Sequence, residues 1–371
     1  MQTTPLIQLV SDALKPFRMA EGNRTHEWSG TDYSSGTEPE AFVRFLSSNG
    51  LAPLWFDHIH RSGSAGSYPA SFVEPLRTAT IKATIAQAQQ TAILRETIQY
   101  LQEAEVPVLA IKGAVLRLCL YERPELRPSL DIDLLVPPEY RKRATCLFTR
   151  NGMQSEVEPA SIDHELAFLH KGVAIDLHWD VFRAGRSEPG LIAELFERQT
   201  TVDGIPIPDQ NHNFYLMLTH PVITNYPLSE LSVVRLVDID RWVRNNNPDW
   251  DQIAALTHRY RTRTAAWLSL VLVQRFLGTP VPATAIRSLH PGAIRSRYLR
   301  LWVEKDLSTR LRGSPRARQF LYSLPLHDSL LNAAKDSLSY LKSRNASAPA
   351  VASFERLIRR CGPKELREHK K

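Results

Sequence analysis

The chain has 371 residues, 43% hydrophobic and 23% charged, ordinary values for a globular protein with room for two or three subdomains. No run of eighteen apolar residues exists, which excludes a transmembrane helix, and the start MQTTPLIQLVSDALKPF lacks the basic head and apolar core of a signal peptide. The formal charge of +7 is uneven, because residues 284–371 carry 19 Lys and Arg against 7 Asp and Glu. A basic tail of this kind suits either solvated helix faces or attraction for an anion such as a nucleotide, an RNA or an acidic protein. Cys119, Cys146 and Cys361 are odd in number and widely spaced, as expected of reduced thiols in a cytoplasmic protein.

Residues 1–75 read as an N-terminal segment. One helix (Leu6 to Phe17) runs into the polar stretch EGNRTHEWSGTDYSSGTEPE, expected to be loop or disorder, and two helices follow between Pro39 and His60. Phe72 to Glu103 is the longest helical pattern. Ile81, Ile85, Ala88 and Ala92 share one helix face and predict packing against a sheet.

A core is expected over 76–208. Val106 to Ile111 is a short β-branched apolar run, Gly113 follows it, and Ala114 to Tyr121 has helical spacing. Asp131-Ile-Asp-Leu-Leu-Val136 is again a strand, so Asp131 and Asp133 leave the same face while Ile132 and Leu134 leave the other. A solvated strand edge accounts for such a pair. So does a cation site, because two adjacent carboxylates on a buried strand repel each other unless a divalent cation, magnesium for oxygen ligands, lies between them. Lys112 adds a point charge upstream, and Arg127 a planar fork suited to phosphate oxygens. Pro138 to Asn151 is a basic helix closed by Gly152. The strand Val173 to Trp179 then puts Ala174, Asp176 and His178 on one face, with His178 open to a structural, substrate-binding or basic role and Trp179 expected to pack.

Taken together, Leu109-Ala-Ile-Lys-Gly113, Tyr121, Arg127, Asp131-Ile-Asp-Leu-Leu-Val136 and Val173-Ala-Ile-Asp-Leu-His-Trp179 resemble the putative nucleotidyltransferase family of the DNA polymerase β superfamily. The resemblance spans roughly residues 75–280. It implies a small mixed sheet flanked by helices and transfer of an NMP group from an NTP, with ATP the expected donor, to a small molecule, a protein or an RNA end. It further implies two Mg2+ ions held by Asp131, Asp133 and Asp176, phosphates held by Lys112, Gly113 and Arg127, and His178 among the nucleotide-binding residues. Lys112-Gly113-Ala114 departs from the wider superfamily, whose turn carries Gly-Ser or Gly-Gly. The missing serine leaves room for a non-catalytic binding or antitoxin-like protein of the same fold.

Thr201 to Pro208 reads as a hairpin or linker, and residues 209–371 as a helical substrate or partner domain with a basic tail. Asp238 and Asp240 lie two residues apart on a predicted helix, so at most one of them is expected to extend the site, and His220 is expected to pack. No motif for RNA binding supports the tail as a nucleic-acid surface. The expected fold is α/β, with an all-helical C-terminal part.

Overall fold

The computed structural model describes residues 5–18, 38–155, 164–224, 233–305, 307, 315–329 and 331–336. The polar stretch 19–37, most of the basic tail (337–371) and Cys361 lie outside the described residues. The chain forms two compact units: residues 1–87, 115–129 and 209–330 make a helical unit, and residues 88–114, 130–208 and 331–371 a sheet unit. No described helix is long and apolar enough to cross a membrane.

In the helical unit, α1 (Pro5–Leu14), α2 (Pro39–Ser48) and α3 (Ala52–Arg61) surround an aromatic cluster of Phe42, Trp55, Tyr68 and Phe72. The indole N–H of Trp55 donates to Ala13 O at 2.8 Å, so the buried ring keeps no orphan donor. The 34-residue helix α4 (Ala70–Glu103) begins in this unit and ends in the other. The predicted apolar stripe on α4 does not pack: Ile81 and Ile85 are 51% and 65% exposed. Burial is confined to the ends of the helix, at Phe72 and Leu76 and again from Gln90 to Leu101. Periodicity reports an apolar face, but not whether anything covers it.

The centre of the helical unit is built from α8 (Gln210–Thr224), α9 (Val234–Asn246), α10 (Trp250–Arg259) and α11 (Arg263–Leu277). Helix α11 is apolar around most of its circumference and correspondingly buried, and Gly278 ends it in a left-handed conformation that returns its N–H to Gln274 O. Further helices follow at Ala283–Ser288, Ala293–Glu304 and Pro315–Ser323.

Both acids of α9 are committed to local partners. Arg127 donates from Nη2 to Asp238 Oδ2 at 2.8 Å and from Nε at 3.1 Å, and the Tyr121 hydroxyl donates to Asp238 Oδ1 at 2.6 Å. Burial and the adjacent Asp238 carboxylate push the Tyr121 hydroxyl well above its ordinary range. Asp240 accepts from Arg244 at 2.9 Å and from the Thr279 hydroxyl at 2.7 Å. The expectation that at most one of these aspartates extends the site allows for neither. Each satisfies a buried cation or hydroxyl instead, as a buried carboxylate must.

The sheet unit holds four strands in the order β1 (Leu109–Ile111), β2 (Asp131–Leu135), β4 (Val173–His178), β3 (Glu165–His170), with β2 and β4 parallel and the outer pairs antiparallel. The β3–β4 hairpin turns at Lys171-Gly172, whose φ values of 50° and 81° match a two-residue turn of the hand that twisted strands require. A second hairpin, β5 (Gln199–Val202) and β6 (Ile205–Pro208), turns in the same way at Asp203-Gly204. One sheet face is packed with Ile132, Leu134, Phe168, Ile175 and Leu177, and Phe148 of α6 (Arg141–Arg150) meets Phe168 edge-on at 5.0 Å. Trp179 is buried beneath the guanidinium of Arg141, 3.8 Å above its ring, as expected of a packing residue. Gly185 is required where the chain passes residues 332–336, because a Cβ there would lie 2.5 Å from Asp336 N.

Replacing Arg127 with Met strands a buried carboxylate and is expected to destabilise the fold by about 3–5 kcal/mol in urea unfolding. Adding Asp238→Leu removes the stranded charge and is expected to restore a large part of that loss. Equal stability of the single variant and the wild type would show the pair to be of no structural consequence.

Candidate active site

The acid-bearing face of the sheet is set by strand register. Asp133 of β2 lies directly opposite Asp176 of the parallel strand β4, and Asp131 opposite Ala174. Partners across a ladder share a face, so Asp131, Asp133, Asp176 and His178 all project to one side. The antiparallel neighbour adds Glu165, opposite His178. Donor atoms of Asp133, Asp176 and His178 lie within 4.8 Å of one another, whereas Asp131, one pair further along the strand, falls outside that group.

Lys112 completes the cluster from the strand-to-helix turn. The turn residue in the left-handed region is Lys112 itself (φ 56°), while Gly113 is buried at the start of α5 (Gly113–Leu120). A non-glycine residue in that region is strained by about 1–2 kcal/mol. The conformation brings Lys112 Nζ to Asp133 Oδ1, to which it donates at 2.8 Å, with His178 Nε2 at 3.2 Å. His178 Nε2 is also 2.9 Å from Asp133 Oδ1. Lysine, aspartate and histidine thus close a triangle in which Asp133 and His178 are buried and Lys112 is partly exposed.

The electrostatics divide the two aspartates. Burial alone would raise Asp133, but the Lys112 ammonium and His178 outweigh it and hold the carboxyl well below its usual range. Asp176 is driven well above its usual range by burial and by the negative Asp133, Asp131 and Glu165. Burial lowers Lys112, yet Asp133, Glu165 and Asp131 together keep its ammonium above the ordinary lysine value. Burial brings His164 down to about 4, so its imidazole is neutral at physiological pH. One lysine cannot balance four carboxylates on a single sheet face. Paired oxygen donors carrying this unbalanced negative charge fit a divalent cation, which would favour the ionised form of Asp176.

Of the residues singled out in the sequence, Lys112, Asp133, Asp176 and His178 meet here. Asp131 adds its charge from the same face, and Gly113 adjoins the turn. Arg127 belongs to the helical unit, where its Nε and Nη2 hold Asp238. Two residues of the cluster, His164 and Glu165, were not singled out. The signal for them was the alternation of Glu165-Leu-Ala-Phe-Leu-His170 before Lys171-Gly172, since a two-residue hairpin turn fixes Glu165 opposite His178.

The sheet unit is thus a mixed sheet with paired carboxylates on one face, beside a strand-to-helix turn. Residues 35–278, more than half of the chain, match the family described as uncharacterised nucleotidyltransferase, and the chain belongs to that family. Among solved structures it is similar to the antibiotic-resistance factor ANT(2'')-Ia, at 14% identity over 59% of this chain and 98% of that one. The TM-score of 0.32 is too low for that likeness to bear on the fold or the activity. No curated protein matches the chain.

The raised Asp176 carboxyl has a definite sign. A carboxyl held above its unfolded value favours the fold at acid pH and disfavours it as pH rises through the unfolded value, ordinarily 3.8. Asp176→Asn is therefore expected to raise the melting temperature of the chelator-treated protein at pH 7 by about 2–4 °C, with the gain shrinking as pH falls toward that value. Differential scanning calorimetry at several pH values reads this directly. A lowered melting temperature at pH 7 would contradict the repulsion.

Proposed function

We propose that the chain is a metal-dependent nucleotidyltransferase that moves an NMP group from an NTP, ATP first among the candidates, to an acceptor hydroxyl or similar nucleophile. The observation that carries this reading is the in-register pairing of Asp133 with Asp176 on parallel strands, with Lys112 delivered to the same point. Asp131, Asp133 and Asp176 would hold two Mg2+ ions. When bound, such ions supply charge stabilisation at the entering and leaving oxygens of an in-line displacement.

The remaining work falls to this chain's own side chains. Lys112 Nζ is a point charge able to serve a phosphate oxygen as it now serves Asp133. Gly113, with no side chain, leaves the backbone at the turn open to a close approach by phosphate. His178, fully buried against Asp133, would fix the orientation of that carboxylate. Asp176, in register with Asp133, would ligate the ion on the acceptor side and help take the acceptor's proton. Arg127, sequestered by Asp238, acts by holding the segment that leads into β2, four residues before Asp131. The helical C-terminal part would supply acceptor specificity.

A second reading is favoured by the turn itself. Lys112-Gly113-Ala114 offers no side-chain hydroxyl to a triphosphate, as expected of a binding protein that keeps the fold without turnover. Calorimetric titration of each NTP with and without Mg2+, paired with an assay for pyrophosphate release, separates the two. Magnesium-dependent binding is expected in the wild type and its loss, by at least about tenfold, in Asp133→Asn and in Asp176→Asn. Binding of equal strength in all three proteins, with no pyrophosphate released across candidate acceptors, would leave only the binding-protein reading.

A further inference from the structure

Beside the acid pair lies a second donor set that nucleotidyl transfer does not require. One donor atom each of His164, Glu165 and His178 lies within 4.8 Å of the other two. Glu165 Oε2 is 3.5 Å from His164 Nε2 and 3.2 Å from His178 Nδ1. We propose that His164, Glu165 and His178 form a site for a zinc-type divalent transition-metal ion, distinct from the oxygen-ligand site at Asp133 and Asp176.

Three observations carry the assignment. The first is geometric. Zinc bonds of about 2.0–2.1 Å set the donors of a tetrahedral ion about 3.3 Å apart, and both contacts of Glu165 lie close to that spacing. Two imidazoles and one carboxylate are also a donor set that leaves a fourth position open, and the Glu165 side chain, 39% exposed, gives an ion a way in.

The second is an unsatisfied atom. His178 has no exposed surface, and its Nδ1 makes no hydrogen bond with the described residues although Glu165 is 3.2 Å away, because the direction is wrong for one. A buried imidazole nitrogen without a hydrogen bond is uncommon, and a metal ion removes the deficit. Nitrogen donors also select zinc and its neighbours over magnesium.

The third lies on the opposite side of the same ring. A histidine that binds a metal through one nitrogen donates the other N–H to a carboxylate in most known sites. His178 Nε2 stands 2.9 Å from Asp133 Oδ1, in position to do so. An ion at Nδ1 would fix the tautomer with the proton on Nε2, and Lys112 would then direct its hydrogens to Asp133 alone, already its partner at 2.8 Å. Occupancy of the nitrogen site would thus set the orientation of Asp133.

The test uses the full chain, stripped with a chelator and titrated calorimetrically with zinc chloride in excess Mg2+. Co2+ serves as a spectroscopic substitute whose visible absorption reports nitrogen ligation. One zinc ion per chain is expected to bind despite the magnesium. His164→Ala and Glu165→Gln are each expected to weaken it by at least about tenfold, and Asp176→Asn by less than about twofold. Should His164→Ala fail the circular dichroism check for folding, His164→Asn takes its place. Zinc affinity indifferent to His164, affinity lost with Asp176, or no uptake by the folded wild type would each overturn the assignment. These are equilibrium readings of metal, so they fail or succeed independently of nucleotide turnover.

Discussion

Everything at the candidate site depends on the parallel pairing of β2 with β4. Parallel register puts Asp133 beside Asp176 on one face and lets Ile132, Leu134, Ile175 and Leu177 fill the core on the other. A slip of one residue would exchange the two faces and bury the carboxylates among Phe148 and Phe168, so the hydrophobic face enforces the geometry of the polar one. The repulsion between the acids is the consequence. It is tolerated because Lys112 and His178 favour the charge on Asp133, leaving Asp176 as the group pushed toward neutrality.

That division of charge ties fold to chemistry. Two adjacent carboxylates of like environment would share the penalty of mutual repulsion equally. Here a single ammonium, carried by a backbone in the left-handed region, pairs with Asp133 and holds it as an anion, while burial and the neighbouring carboxylates push Asp176 toward its neutral form. Strain at Lys112 is consistent with a residue whose position matters more than its local comfort. The strain has a compensating contact in the ion pair with Asp133.

The polar residues of the helical unit follow a different logic. Tyr121 and Arg127 stand in the same sequence pattern as Lys112 and Asp131, and the resemblance implies a phosphate-holding role for Arg127. Residues 115–129 belong with the helices, where Tyr121 and Arg127 satisfy the buried Asp238. A sequence pattern of this kind records which residues the fold needs, whether for catalysis or to neutralise a buried charge. Arginine is suited to either use, since its fork matches a carboxylate as well as a phosphate.

The amino-acid sequence by itself determined the local features. These are the strands with their alternating faces, the Asp131–Asp133 pair, the glycine turn ahead of α5, and the helical character of the chain after residue 209. Those depend on side-chain period and on turn and cap residues, all of which act over a few positions. Only the tertiary structure decided which strands are neighbours, and therefore that Asp133 meets Asp176, that Glu165 stands opposite His178, and that Ile81 and Ile85 remain uncovered. Strand order and burial are properties of partners distant in the chain. No local period encodes them, because the energy that selects a partner is the burial of the whole face and not of any one segment.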